Sequence, residues 1–295
     1  EGQFDWATLP SVFQKVLHTH YPSQVESPQD FPSTSSFQFA VNTQYVEPFL
    51  QLFSSDLKGF NQLVLSGNFE GPTNSFSTSL LIPQASFQEY GVDSLVLKSR
   101  SDGKNIELDA TAKSIKLNEA ISLPPLAIKI SGHNDSTVIN LFSASEKRVE
   151  KINLNALVRT FREGIAIDFT SSDFTINGKS WALNEGGNLY LRKNNPAQGY
   201  LRLSEGEQEI IIKTLQKNQN ETDQLLLSIQ KINLNDISPY FLPDNRLEGL
   251  VSGDFIIKDP LGNLSISTDN FNSKLLRLDN DSIGEITSTL LYEKK

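Results

Sequence analysis

The chain lacks cysteine, and its 295 residues include only three histidines and two tryptophans. Without cysteine there is no disulfide framework, no thiolate-ligated zinc or iron–sulfur site and no thiol nucleophile. Methionine is absent as well. No apolar run approaches the ~20 residues of a membrane-spanning helix. We therefore expect a chain without thiol chemistry, and we expect any targeting segment to precede Glu1.

Positive charge is also scarce, because 26 Lys and Arg residues stand against 35 Asp and Glu residues, a formal net charge of −9. Nucleic-acid binding depends on Lys and Arg that neutralise phosphates. Attachment to an anionic membrane surface depends on the same residues. The acidic balance disfavours both functions, and the length predicts about two domains or one long all-β unit.

Alternation of apolar and polar residues dominates from Phe37 onward. It is clear in Phe37–Val41, in Ile165–Phe169 and in Leu225–Ile229, where every second side chain is apolar. This period sends one set of side chains to an apolar face and the other set to water. Turn-forming pairs such as Asp102-Gly103 and Asn177-Gly178 separate the runs. Many short strands joined by such turns predict an all-β architecture.

A few segments have helical spacing instead. Residues 1–36 are predicted to comprise an N-terminal helix and a Pro- and Ser-rich linker. The helix has Phe4 and Trp6 at its start and an interruption at Pro10, and the linker begins at Tyr21. Further short helices are predicted over Asn153–Arg162 and over two other segments, Tyr45–Leu57 and Asn235–Phe241. Residues 37–295 are predicted to form the β region, in two repeat units of about 37–150 and 151–295.

A degenerate internal repeat supports this division. Phe37-Gln-Phe, a helical turn with Pro48-Phe49, and Leu65-Ser-Gly-Asn-Phe69 correspond to Leu227-Ser-Ile, a turn with Pro239-Tyr240, and Val251-Ser-Gly-Asp-Phe255. Each copy reads as a strand, a short helix and a glycine-containing strand. Repetition of one such unit predicts strands stacked into an elongated sheet or solenoid.

Residues suited to catalysis or metal binding are few. His18 and His20 are two apart on a predicted helix, which points them in different directions, and His133 lies in a predicted turn. Glu205, Glu207 and Glu209 are spaced to share one strand face, and we interpret them as a solvated face. The Asp279-Asn280-Asp281 segment lacks the central glycine and the final glutamate of an EF-hand. We expect no catalytic residue, no metal and no cofactor.

Several stretches together resemble a known family. They are Gly164-Ile-Ala-Ile-Asp-Phe-Thr-Ser-Ser-Asp-Phe-Thr-Ile-Asn-Gly-Lys-Ser-Trp181, Leu247-Glu-Gly-Leu-Val-Ser-Gly-Asp-Phe-Ile-Ile257 and Asn280-Asp-Ser-Ile-Gly-Glu-Ile286. This succession resembles the middle region of the TamB family of translocation and assembly module proteins, which belong with the AsmA-like envelope proteins of Gram-negative bacteria. The resemblance implies an elongated, curled β-sheet groove with an apolar concave face, taco-like or solenoid-like, and no catalytic residues.

The resemblance also implies a cellular setting. Family members are periplasmic and anchored in the inner membrane, and they work with an Omp85-type outer-membrane barrel. They are implicated in phospholipid transport or in outer-membrane protein assembly. The expected cargo is therefore a lipid acyl chain or a nascent outer-membrane protein. The anchor and the region that binds the barrel are expected outside these residues.

The alternating pattern predicts which residues would line such a groove. The prediction depends on the strand register, because a shift by one residue moves a side chain to the other face of the sheet. The predicted lining residues are Leu97, Leu108, Ile167, Phe169, Ile176, Leu191, Leu203, Ile212, Leu227 and Ile229.

Two alternatives remain open from the sequence. One is a carbohydrate-binding or adhesin-like β-sandwich, which predicts a closed apolar core. The other is a polysaccharide-processing β-solenoid enzyme, which predicts a cluster of carboxylates in a cleft.

Overall fold

The computed structural model describes residues 2–3, 7, 9–29, 34–117, 122–145, 150–184, 186–193, 197–215, 224–240, 242 and 245–293. The chain divides into two compact units. The N-terminal unit comprises Glu1–Ala144 with Thr160–Arg162, and the C-terminal unit comprises Ser145–Arg159 with Glu163–Lys295. Each unit is built on an antiparallel sheet.

The N-terminal unit contains two helices and eleven strands within its described residues. They are β1 (Gly2–Gln3), α1 (Leu9–His20), β2 (Ser36–Asn42), α2 (Glu47–Leu50), β3 (Leu57–Gly59), β4 (Val64–Glu70), β5 (Ser75–Phe87), β6 (Tyr90–Ser101), β7 (Ile106–Ala112), β8 (Ser114–Lys116), β9 (Ser122–Leu123), β10 (Leu126–His133) and β11 (Ser136–Ser145).

The main sheet of this unit runs in the order β1, β2, β4, β5, β6, β7, β10, β11, with every neighbouring pair antiparallel. Strand β3 pairs with β5, and β8 lies between β6 and β9. Successive strands mostly neighbour each other because short turns such as Asp102-Gly103 allow antiparallel return.

Helix α1 covers one end of this sheet. Val12 and Val16 of the helix pack with Phe37 and Phe69 in a cluster of buried side chains. Each of these burials contributes roughly 1.5–3 kcal/mol. Polar contacts continue along the same end, where the His20 ring lies 2.8 Å from the Ser101 hydroxyl. We call this end of the strands the capped end and the opposite end the far end.

The C-terminal unit contains the remaining elements. They are most of β12 (Glu150–Phe161), then β13 (Gly164–Phe169), β14 (Asp173–Ile176), β15 (Lys179–Leu183), β16 (Asn188–Arg192), β17 (Gln198–Glu205), β18 (Gln208–Leu215), β19 (Gln224–Asn233), α3 (Leu234–Ile237), a 3-10 helix (Ser238–Tyr240), β20 (Leu247–Glu248), β21 (Leu250–Lys258), β22 (Ser265–Leu278) and β23 (Asp281–Glu293).

Strand β17 is the branch point of this second sheet. It pairs with β15 through Leu203 and with β16 through Gly199. Strand β15 leads through β14 to β12, and β16 leads to β13. On the other side of β17 the order is β18, β19, β21, β22, β23.

Helix α3 covers one end of the second sheet, as α1 does in the first. Its residues Leu234 and Ile237 pack against a buried cluster of Trp181, Ile232 and Val251. Asp236 of the helix is 3% exposed, and it accepts a bond of 2.6 Å from the Lys179 ammonium group. We apply the term capped end to this end of the C-terminal unit too.

The prediction of an all-β chain with a few short helices is confirmed by these elements. Of the helix predicted over Tyr45–Leu57 only Glu47–Leu50 is helical, as α2, while turns follow it and Leu57 begins β3. The helix predicted over Asn235–Phe241 corresponds to α3 with the 3-10 helix. The N-terminal helix begins at Leu9, and Pro10 lies in its first turn, where the missing N–H costs nothing, so the predicted interruption is wrong. Phe4, Trp6 and Phe241 lie outside the described residues.

The helix predicted over Asn153–Arg162 is wrong, because strand β12 occupies this segment. Leu154, Leu157, Val158 and Phe161 fit a helical period, but the same segment also fits a strand. Strand pairing decides the outcome, since Ile152 lies opposite Phe174 of β14. The Asn155 side chain further donates to the Ser171 carbonyl at 2.7 Å.

The structure also shows the element order that the internal repeat predicted. In one copy α2 and the short strand β3 lie between β2 and β4, and β2 pairs with β4. In the other copy α3, the 3-10 helix and the short strand β20 lie between β19 and β21, and β19 pairs with β21. In each case the connection between two adjacent antiparallel strands contains a short helix and a short strand. The exact unit bounds of 37–150 and 151–295 stay a prediction.

Candidate functional site: an apolar face in each unit

Strand register places the apolar side chains of the N-terminal unit on one face of its sheet. Leu97 lies opposite Leu80 on one side and Ala110 on the other, and Leu108 lies opposite Ile130. Directly opposed residues of antiparallel strands share a face. The predicted lining residues Leu97 and Leu108 therefore share one face, and both are half-buried.

The other eight predicted residues lie in the C-terminal unit, and all are half-buried. Ile212 lies opposite Leu201 and Leu227, while Leu203 lies opposite Ile210, which in turn lies opposite Ile229. Because these positions alternate along their strands, the two rows share one face. The predicted residues of these strands thus share one face, and their role as a groove lining stays a prediction.

Other strand pairings place the remaining predicted lining residues on the same face. Leu191 lies opposite Ile165, and Ile167 lies opposite Leu189, whose partner Gly199 is two residues from Leu201. Phe169 continues the alternation of β13 at its last residue. Ile176 shares a face with Phe174, which lies opposite Trp181.

Distance from the helical cap separates these residues into two groups. Ile176, Leu203 and Ile229 pack directly against the buried cluster around Trp181. Ile212 and Leu227 belong to the next row of side chains, one step farther from α3. The first group stabilises the capped end, so the second group is the better candidate for contact with a bound molecule.

The opposite face of each sheet carries charged side chains in cross-strand pairs. Arg100 pairs with Glu107 in the N-terminal unit, and Arg202 pairs with Glu209 in the C-terminal unit. Exposed pairs of this kind contribute little to stability, typically below about 1 kcal/mol. They distinguish the two faces of each sheet, one apolar and half-buried, the other polar and in contact with water.

A concavity of about 940 Å³ lies on the polar side of the N-terminal sheet. Its lining includes Ser66, Asn68, Ser77, Lys98 and Asp109. Hydroxyl, amide and charged groups of this kind suit water or a polar ligand, whereas an acyl chain would leave them without hydrogen bonds. The concavity is therefore separate from the predicted apolar lining.

Structural contacts account for the three histidines. The His18 ring nitrogen lies 2.6 Å from the Val25 carbonyl, and that of His133 lies 2.7 Å from the Lys104 carbonyl. His20 is fully buried beside Ser101. Burial lowers the pKa of His20, while the Lys104 backbone and the Asp102 carboxylate act in the opposite direction.

The carboxylates do not form the arrangement that their spacing indicated. A turn separates β17 from β18, so Glu205 and Glu209 lie on different strands and Glu207 lies in the turn. Glu207 pairs with Lys231, and Glu209 with Arg202. The prediction that the three share one strand face is wrong, because period-two spacing was applied across a turn.

Asp279 has a structural role in the turn between β22 and β23. Its carboxylate accepts bonds from the Arg246 backbone N–H at 2.7 Å and from the Asn245 amide at 2.6 Å. These bonds, led by the one from Arg246, lower the pKa of Asp279. Among the described residues, no group of three or more His, Asp or Glu side chains is placed to hold a metal ion.

The sequence analysis did not identify several residues of the two apolar faces, and it did not predict which helix covers the capped end of each sheet. Phe39, Leu80 and Ile130 share the face of Leu97 and Leu108, and the same alternation could have identified them. That α1 covers the capped end could not be read from the sequence, because the contact of Val12 with Phe69 joins residues far apart in the chain.

Comparison with protein-family models, with curated proteins and with solved structures gives no match to this chain. In the part of the chain that the structure describes, no helix combines the length and apolar character needed to cross a bilayer.

Proposed function

We propose that this chain is a non-enzymatic segment of a cell-envelope protein of the TamB and AsmA-like kind, and that its apolar sheet faces hold lipid acyl chains during transport between membranes. One observation carries the proposal. The predicted lining residues share one half-buried apolar face in each unit, and the helices that pack on these faces cover the capped ends.

Physical chemistry explains why such a face suits this cargo. Moving an acyl chain from a membrane into water costs about 0.8 kcal/mol per CH₂, so a sixteen-carbon chain costs roughly 12 kcal/mol. A continuous apolar surface offsets this cost without polar partners. Rows such as Leu201, Ile212, Leu227 and Phe255 provide one apolar side chain per strand, about 4.8 Å apart.

The resemblance to the TamB family supplies the rest of the proposal. On the basis of that resemblance we propose that the chain lies in the periplasm, in a protein anchored in the inner membrane that acts with an Omp85-type barrel through other regions. A nascent outer-membrane protein is the other cargo that the resemblance implies. We favour acyl chains because the rows are apolar along several neighbouring strands.

Site-specific photo-crosslinking tests the proposal with a matched control. Ile211 and Ile212 are adjacent, identical in type and both half-buried, but they project from opposite faces of β18. A photo-crosslinker at Ile212 should capture phospholipid in a bacterial envelope, and one at Ile211 should capture far less. Leu227 and Ser228 form a second pair of this kind.

The positions Ile167 and Leu203 extend the test, with exposed Lys193 as their reference. We expect weaker capture at Leu203 than at Ile212, because Leu203 packs against the Trp181 cluster. Equal capture at Ile211 and Ile212 would contradict the proposal, and capture of protein instead of lipid would favour the nascent-protein cargo.

A further inference from the structure

The two copies of the internal repeat use their short helices in opposite ways. In the C-terminal unit, Leu234 and Ile237 of α3 turn inward onto the buried cluster. In the N-terminal unit, α2 buries none of its residues. Leu52 is 79% exposed and Phe53 is 73% exposed in the turns that follow α2.

More exposed apolar side chains surround this helix. Tyr45, just before α2, is 72% exposed, and Phe49 of the helix stacks edge-on with Phe53 at 5.2 Å. Phe87 and Tyr90 lie opposite each other beside the neighbouring turn and are exposed too. We call these six residues, Tyr45, Phe49, Leu52, Phe53, Phe87 and Tyr90, the apolar tip.

Hydrogen bonds hold the two turns of the apolar tip together. The Gln88 backbone N–H donates to the Asp56 carbonyl at 3.1 Å, and the Phe60 N–H donates to the Gln84 carbonyl at 2.9 Å. The Val46 N–H donates to the Asn61 side chain at 2.9 Å. Because these backbone N–H and C=O groups are hydrogen-bonded within the protein, the exposed side chains can enter an apolar phase without bringing unpaired backbone groups into it.

The apolar tip lies at the far end of the N-terminal sheet. Strand β5 runs from Phe76, which packs near α1, to Phe87 in the tip, at most roughly 36 Å along the strand. Strand β2 likewise runs from buried Phe37 to exposed Val41, which lies on the apolar face. Val41 therefore carries the apolar face to the far end, where Tyr45 follows it in the chain, whereas Phe87 and Tyr90 project from the other face of β5 and β6.

Charges beside the tip are mixed. Glu47, Asp56 and Glu89 lie on its turns, while Lys58 and Lys116 lie on the adjoining strands β3 and β8. Without an excess of basic residues, anionic headgroups gain no attraction. Aromatic and leucine side chains on a protruding turn fit the interfacial region of a bilayer, which such groups enter by about 5–10 Å.

From these observations we infer that the apolar tip is a docking site for a zwitterionic lipid bilayer, through which acyl chains reach the apolar face of the N-terminal unit. The choice of partner rests on the proposed function. A protein partner and a second copy of this chain are the competing occupants.

Vesicle flotation with the full chain tests this inference. The chain should float with phosphatidylcholine vesicles, with little change when the salt concentration is raised or when phosphatidylglycerol is added. The double variant Leu52→Ser with Phe53→Ser should bind at least roughly tenfold more weakly, because two apolar side chains no longer leave water. The control is Leu291→Ser with Tyr292→Ser, which removes an exposed leucine and an exposed aromatic residue from β23.

Several outcomes would overturn the inference. They are absence of vesicle binding by the unmodified chain, equal loss in both double variants, and a requirement for anionic lipid. Self-association that only the Leu52 and Phe53 variant abolishes would assign the tip to a second copy of the chain.

A second measurement separates this inference from the proposed function. Short-chain phosphatidylcholine supplied as monomers can reach Ile212 without a vesicle. Capture at Ile212 without vesicle binding would support the acyl-chain face and reject the docking tip. Vesicle binding without capture at Ile212 would support the tip and reject the face.

Discussion

At the scale of single residues, two glycines explain why the repeated Ser-Gly-Asn/Asp-Phe motif occurs in both units. Gly67 leaves room for the Phe39 ring, since an added Cβ would lie 2.6 Å from that ring. Gly253 lies beneath Phe271 in the same manner, with an added Cβ at 3.0 Å from the Phe271 Cα. An aromatic side chain from a neighbouring strand thus covers the glycine in each copy.

The two glycines should differ in their tolerance of alanine. At Gly67 the new methyl group would also meet the Ser77 carbonyl oxygen at 2.7 Å, and backbone cannot move away easily. We expect Gly67→Ala to destabilise the N-terminal unit by about 2–3 kcal/mol and Gly253→Ala to cost about 1 kcal/mol in the C-terminal unit. Amide hydrogen exchange in β4 and β21 measures both, and equal effects would contradict the geometric argument.

His20 should make the N-terminal unit sensitive to acid. Burial lowers the pKa of His20 below its ordinary value of about 6.5, so the folded unit binds a proton less readily than the unfolded chain. The stability that this difference contributes is present above pH ~6.5 and is lost as the pH falls below that value.

The expected result is a free energy of unfolding that declines as the pH falls below about 6.5, with α1 loosening first. Urea unfolding of the chain and of a His20→Asn variant measures it, followed by exchange of the α1 amides. The variant should show a shallower pH dependence in this range of pH. If the free energy of unfolding of the variant fell with pH as steeply as that of the unmodified chain, groups other than His20 would cause the acid sensitivity.

At the scale of secondary-structure elements, the seating of α3 depends on a buried ion pair. Asp236 accepts from Lys179, from the Asn177 amide at 3.1 Å and from the Gln208 amide at 3.3 Å. These bonds join the helix to the turn between β14 and β15 and to the start of β18. A carboxylate so deeply buried remains stable only while these partners are present.

Removing the Lys179 ammonium group alone should therefore lower the free energy of unfolding more than removing both Lys179 and Asp236. We expect Lys179→Met alone to destabilise the C-terminal unit by about 3 kcal/mol, because it leaves the Asp236 charge unpaired. The double variant Lys179→Met with Asp236→Leu should cost less. A double-mutant cycle measured by thermal unfolding checks the coupling, and additive effects would show that Lys179 does not compensate the buried charge.

Strand β12 shows where element prediction from sequence fails. Leu154 and Val158 have helical spacing, but Ile152, Leu154, Ala156 and Val158 also alternate as in a strand. Its conformation depends on the pairing of Ile152 with Phe174, which lies beyond a turn and a further strand. Local periodicity is ambiguous over such short segments, and a partner strand decides between the two conformations.

At the scale of the whole molecule, the capped ends should be the most stable part of each unit. The packed clusters of buried side chains lie there, with Phe37 and Phe69 in one unit and Ile232 and Val251 in the other. Local stability follows the density of buried apolar contacts.

In each unit, amide hydrogen exchange should therefore become faster from the capped end to the far end. We expect slow exchange near Phe69 and Val251, and faster exchange toward Leu81 in β5 and Ile257 in β21. Lipid binding to the apolar faces should slow exchange near Leu81 and Ile257 more than near Phe69 and Val251. Uniform protection along β5 and β21 without lipid would contradict a stabilising role for the helical caps.

The amino-acid sequence was sufficient to predict most of the strands, most of the turns and that Ile212 and Leu227 share a face. These properties depend on the backbone period of two and on turn residues such as Asn177-Gly178, which act within a few residues. Tertiary structure decided that β12 is a strand, that Glu207 lies in a turn, that α3 turns inward and that α2 stays exposed. Those outcomes depend on contacts between distant segments, such as Val12 with Phe69 and Asp236 with Lys179, which no local pattern specifies.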